Sequence, residues 1–142
     1  MTPADPDRAS PGTAVVRELR EPDELAALMT PGRLVVLTFT GSWCGSCTAL
    51  EPVLADVARE WAGGAAGVEG GSDVPTPSPV FVTADTLRLP TLSAAYAVRT
   101  VPTTLLFGEG VVLDSIIGPV TRKELRERVR AAAEHAGRDA GR

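Results

Sequence analysis

Cys44 and Cys47 are the only two cysteines in this 142-residue chain, three positions apart in Trp43-Cys44-Gly45-Ser46-Cys47. Thiols at that spacing can close a disulfide with each other or share a metal ion. A structural zinc site takes four protein ligands. This pair supplies two, there is no second cysteine pair, and the single histidine, His135, lies near the C-terminal end. A zinc or iron–sulfur site within one chain is therefore short of soft ligands. A site shared between two copies is the metal reading that remains. The expectation is no metal, and no cofactor beyond a redox-active Cys44–Cys47 disulfide.

Redox chemistry needs a reactive thiol and a second thiol within reach. The residues after Cys47 read as a helix that begins at about Cys44. The first backbone N–H groups of a helix have no partner inside it and carry partial positive charge. A thiolate there is stabilised, so the Cys44 pKa should fall below that of a free thiol. Residues i and i+3 share one helix side, about 5–6 Å apart at Cβ, and a modest adjustment reaches disulfide distance. Cys44 is then the outer nucleophile and Cys47 the inner, resolving thiol. The bland alternative is two inert helix residues. A bare CxxC argues weakly against that, and a CxxC between a buried strand and a long helix argues strongly.

The flanking elements are what place the pair. Leu34 to Thr40 is a β-branched, apolar run of strand length. Gly41-Ser42 breaks it. Leu50, Val53, Leu54, Val57, Ala58 and Trp61 then fall on one helical stripe. Pro52 lies inside that helix and should kink it. Gly63-Gly64 ends it. Upstream, Ala14 to Leu19 reads as a short strand, and Glu21-Pro22-Asp23 opens a short helix carrying Leu25, Leu28 and Met29. Downstream come a strand over Val80 to Ala84 and a helix over Leu89 to Ala97. A strand over Thr103 to Phe107, a three-residue turn Gly108-Glu109-Gly110 and a strand over Val111 to Ile117 follow, an antiparallel hairpin. Thr121-Arg122-Lys123-Glu124 matches a capping box for the last helix. The order β-α-β-α-β-α-β-β-α predicts an α/β fold, a mixed central β-sheet with helices on both faces.

Residues 1–13 read as a flexible tail, 14–135 as one domain and 136–142 as a second tail. The segment 62–79 holds five glycines and three prolines. It reads as a loop insertion, either a plain surface insertion or one that covers substrate or binds a partner. Hydrophobic residues make up 44%, enough for a core, and the formal charge is −4. That balance predicts no nucleic-acid or membrane partner. From Thr121 onward seven Lys or Arg face four acids, so +3, which reads as a solvated helix face. No apolar run approaches the roughly 18 residues of a membrane span, and no secretory signal is visible at the start. The expected compartment is a reducing cytoplasm, where paired cysteines serve catalysis or metal binding rather than structure.

From Leu34 to Ala133 the chain resembles a thioredoxin, with a weaker fit upstream. Trp43-Cys44-Gly45-Ser46-Cys47 is similar to the family's WCGPC. Pro52 falls where the family kinks its active-site helix. Arg99-Thr100-Val101-Pro102-Thr103 resembles the segment that ends in a cis-proline before the next strand. Phe107, Gly110 and Gly118 match the hairpin spacing. The resemblance implies a thioredoxin fold and thiol–disulfide exchange with protein disulfide substrates. It implies a cis bond at Val101–Pro102, substrate binding at Val101, Pro102 and Gly118, and Trp43 with Gly118 on the groove's rim. Trp43, Gly45 and Ser46 form the active-site turn. A thioredoxin-reductase-like donor would reset the pair, and the chain would act as a monomer.

Three positions depart from the family. Ser46 stands in place of the usual Pro, restoring an N–H and freeing φ. Thr38 stands where the family has a buried Asp that assists proton transfer at the inner cysteine, and Phe81 where it has a nearby Lys. Thr is no base near neutral pH. These departures imply slower or more pH-dependent turnover. The leading expectation is a protein disulfide reductase. The alternative is a thioredoxin-fold binding or redox-sensing module with weak or no turnover. An oxidase or isomerase would suit an exported protein better.

Overall fold

The computed structural model describes residues 16–29, 33–62 and 79–140, with side chains from 136 onward left out. The expected N-terminal tail, and the 62–79 segment apart from its two ends, lie outside the described residues. Nine elements follow one another: β1 (Val16–Glu18), α1 (Pro22–Leu28), β2 (Leu34–Thr40), α2 (Gly45–Ala62), β3 (Val80–Asp85), α3 (Pro90–Ala95), β4 (Thr103–Gly108), β5 (Val111–Ile117) and α4 (Arg122–Ala140). They form a five-stranded sheet in the order β1-β3-β2-β4-β5. β1, β3 and β2 run parallel, while β4 and β5 are antiparallel to their neighbours.

The sequence of β2 explains its central place. Leu-Val-Val-Leu-Thr-Phe is buried on both faces, as a central strand must be. Leu34 and Val36 pack with Leu50, Leu54 and Val57 of α2 and with Leu125 and Val129 of α4. Val35, Leu37 and Phe39 enter a second core with Leu25 of α1 and Leu92 of α3. Strand alternation thus feeds two cores from one segment. α2 runs unbroken through Pro52, whose missing N–H leaves the Thr48 carbonyl without its intrahelical donor.

Phe81 sits one residue pair away from Thr38 on the same face of the sheet. In the parallel register of β2 and β3, Thr38 lies opposite Thr83, and Phe81 lies opposite Val36, buried against the α2–α4 side of the sheet. Several expectations need correction. The hairpin turn has two residues, not three. Gly108 pairs with Val111, and Glu109 and Gly110 both have positive φ, +54° and +84°, as in a type I′ turn. A bulge at Leu113 shifts the register by one residue further along.

The helix ends also differ. α3 is shorter than the expected Leu89–Ala97 span, since Ala97 takes φ of +56° and leaves the helical region. The last helix continues to Ala140, into the segment read as a C-terminal tail. Its capping box is half made. Thr121 Oγ1 accepts the Glu124 N–H at 3.1 Å, but the Glu124 carboxylate accepts from Arg128 at 2.9 Å. A box the sequence did not announce starts α1, where Glu24 Oε1 accepts the N–H groups of Arg20 and Glu21. Those two donors hold the Glu24 carboxyl below its ordinary pKa.

β2 and β3 deliver their C-terminal ends to one pole of the sheet, where α2 begins. An 18-residue helix is about 27 Å long. Ala62 and the start of β3 near Pro79 therefore lie at the opposite pole from Cys44.

Candidate active site

α2 starts directly after Cys44. The Thr48 N–H donates to the Cys44 carbonyl at 3.2 Å, the first bond of the helix, so Cys44 occupies the N-cap. The N-cap side chain normally accepts from the third helical residue. Here the acceptor is sulfur: the Cys47 N–H donates to Cys44 Sγ at 3.0 Å. The first turn contains no acidic residue to compete for the positive helix end. The two sulfurs are joined as a disulfide, with Cα atoms 5.1 Å apart. Cys47 is buried at 4% exposure, and Cys44 is only half-buried. One sulfur is thus open to a partner, and the other is sheltered behind it.

The chain approaches this cap through Gly41, whose carbonyl accepts the Cys44 N–H at 3.3 Å. A Cβ at Gly41 would meet Val101 Cγ2 at 3.3 Å, so glycine lets two loops close up. Gly45 is different, since a Cβ there would meet nothing within 4 Å. Trp43 is 86% exposed beside the disulfide.

The second loop is Val101-Pro102, joined by a cis peptide bond. The Val101 carbonyl oxygen lies 3.7 Å from Cys44 Sγ. The Gly118 N–H donates to the Pro102 carbonyl at 2.8 Å, which ties the end of β5 to the same place, and Gly118 has φ of +92°. Trp43, Cys44, Gly45, Ser46, Cys47, Val101, Pro102 and Gly118 are therefore brought together at one pole. His135 sits exposed on α4. Among the described residues, no group of three or more His, Cys, Asp or Glu could hold a metal ion.

Thr38 is fully buried near the C-terminal end of β2, on the α2 side of the sheet. Its Oγ1 is 2.9 Å from Thr104 Oγ1 across the β2–β4 pair. Two hydroxyls satisfy each other in an apolar setting, with no charge involved.

A third loop went unread in the sequence. Asp85 Oδ1 accepts the Leu87 N–H at 2.8 Å, and Thr86 bonds the Thr40 carbonyl through both its N–H and its hydroxyl. This loop faces the cap across a cleft of about 370 Å³, lined by Gly41, Ser42, Trp43 and Cys44 on one side and by Thr86, Leu87 and Val101 on the other. The available signal was Asp85 followed by polar and apolar residues at a strand end, a common turn start.

A cysteine pair capping a helix at the edge of a mixed α/β sheet, beside a cis-proline loop, is an arrangement that can carry out thiol–disulfide exchange. Comparison with known proteins agrees. The thioredoxin family matches residues 19–131, and the chain belongs to that family. A thioredoxin H-type from Oryza sativa subsp. indica is 31% identical over 108 residues, covering 73% of this chain and 76% of that protein. Thioredoxin H-type 1 from Nicotiana tabacum is 31% identical over 97 residues, covering 68% of this chain but only 64% of the tobacco protein, just under two thirds of its length. Among solved structures, a mutant thioredoxin from Halobacterium salinarum superposes with a TM-score of 0.68 at 25% identity, covering 88% of this chain and 95% of the other.

Proposed function

We propose that this protein reduces disulfides in other proteins, with Cys44 as nucleophile and Cys47 as resolving thiol. The observation that carries the reading is the N-cap: the half-buried Cys44 sulfur accepts a helix N–H, and the buried Cys47 waits three residues on. Once the pair is reduced, negative charge on Cys44 Sγ is stabilised by that N–H and by the helix end. Cys44 thiolate attacks one sulfur of the substrate disulfide. A Cys44–substrate disulfide forms, and the other substrate sulfur leaves and takes up a proton. Cys47, losing its proton, attacks Cys44 Sγ and expels the second substrate sulfur. Two electrons have passed to the substrate, and the Cys44–Cys47 disulfide remains as the only redox group. A thioredoxin-reductase-like dithiol donor returns the electrons.

The Val101 backbone, with its carbonyl beside Cys44 Sγ, lines the bound substrate segment, and Pro102 holds that loop in shape. Trp43 and Gly118 form the rim, and Gly45 and Ser46 the turn between the sulfurs. Thr38 and Thr104 offer hydroxyls and no base, so Cys47 gives up its proton without carboxylate help, and turnover is slow and pH-dependent. A reductase works where thiols stay reduced, which supports a cytoplasmic setting for a monomer.

The test is a trap. A Cys47→Ser variant incubated with an insulin-type protein disulfide should accumulate a mixed disulfide at Cys44, seen by mass spectrometry and lost on adding dithiothreitol. No adduct at Cys44 would sink the assigned roles.

A further inference from the structure

The described residues expose five large hydrophobic side chains, and three of them, Trp43, Leu87 and Ile117, stand at the Cys44 pole. Leu87 is the least expected. The residue is 62% exposed, yet its backbone is held by Asp85 Oδ1 and its neighbour Thr86 is tied to β2. A fixed loop thus holds an aliphatic group in water, an arrangement that favours whatever covers it. The cleft between Leu87 and Trp43 is near the small end of ligand pockets and suits one or two amino-acid side chains. None of its lining residues is charged, because the nearby Asp85 carboxylate is turned to its own loop. Cys44 is part of the wall. A substrate cysteine bonded to Cys44 has its chain neighbour one Cα step away, about 3.8 Å.

We infer that this cleft selects substrates with a large apolar residue beside the attacked cysteine, and that Leu87 is the specificity-determining residue. The inference rests on the reductase reading. The occupant is the substrate's own side chain, continuous with the sulfur that Cys44 attacks. Covering Leu87 and the Trp43 face contributes to binding at the encounter and through the mixed disulfide, so the preference lies in KM.

The experiment compares two disulfide peptides that differ only in Leu or Ser next to the attacked cysteine, with a small aromatic disulfide as a third substrate. Wild type should favour the Leu peptide about tenfold in kcat/KM, mostly through KM. Leu87→Ala should bring the ratio below about threefold, Leu87→Met should keep it, and Val111→Ser at the far end of β5 should leave it as in wild type. An equal rate on both peptides, or a ratio that survives Leu87→Ala, overturns the inference alone if the aromatic disulfide is still reduced. Failure on all three substrates overturns the reductase reading and the inference with it. A wild-type dimer that Leu87→Ala makes monomeric would show a second copy in the cleft, and would also overturn it.

Discussion

The two ends of helix α2 carry opposite kinds of chemistry. Its N-terminal end has no acidic residue in the first turn, an open sulfur at the cap and exposed apolar side chains nearby. Further along, acids line up against the last helix. Asp56 pairs with Arg59 and Arg122, and Glu60 makes a two-pronged pair with Arg126 at 2.8 Å. Those guanidinium groups hold the Asp56 and Glu60 carboxyls below their ordinary pKa, mainly by hydrogen bonding. The difference teaches where this molecule tolerates unsatisfied surface. Carboxylates are kept off the end where a thiolate must form, and side-chain pairing is spent where nothing has to react.

Four substitutions would break or sharpen that contrast. The largest effect is expected from Cys44→Ser, which should lower disulfide reduction by roughly 10³-fold or more in an insulin-turbidity assay and leave the urea midpoint of the reduced protein nearly unchanged. Equal loss of folding would mean that the sulfur serves stability instead. Next comes Leu54→Ala, beneath the middle of α2. It should cost about 2–5 kcal/mol by urea unfolding, without moving the pH profile of Cys44 alkylation. A shifted profile would show that the two ends are coupled.

A smaller effect is expected from Ser46→Asp, which places a charge in the acid-free first turn. Alkylation of reduced Cys44 at pH 7 should slow about two- to fivefold, with its pH midpoint moved upward. An unchanged midpoint would deny the helix end its role. The smallest is Asp114→Asn on β5, which removes a two-pronged bond to Arg128 at 2.7 and 2.8 Å. The loss should be about 0.5–1 kcal/mol at pH 7. Arg128 depresses the Asp114 pKa in the folded state. Its contribution is thus complete above the unfolded carboxyl value of about 3.9 and fades as pH falls through the lower folded value. The gap between wild type and variant in urea midpoint should close from pH 5 to pH 2. A gap constant across that range would remove the ion pair from the explanation.

Local signals made most of this legible in the sequence. The bounds of β2 and β5 could be read because apolar, β-branched runs end at glycine or Gly-Ser, and α2 because its stripe keeps a helical period up to a Gly-Gly stop. The cap at Cys44 followed from the same junction. What stayed hidden depends on elements meeting in space. The hydroxyl pair of Thr38 and Thr104 could not be foreseen because strand register cannot be read along one strand. Leu87 went unread because its meaning comes from Trp43, more than forty positions earlier in the chain. The Glu21–Glu24 box was hidden for another reason, since Glu is not a usual N-cap residue.

The hydroxyl pair of Thr38 and Thr104 has one more consequence. Among the described residues, the buried polar side chains are Thr38, Ser93, Thr103 and Thr104, and none of them can carry charge near neutral pH. Among the described residues, the buried side chains of the oxidised protein therefore include no group that titrates near neutral pH. Reduction changes that, because it places at buried Cys47 a thiol that can lose a proton. The electron count of the molecule thereby decides whether this set of buried residues includes a group that responds to pH.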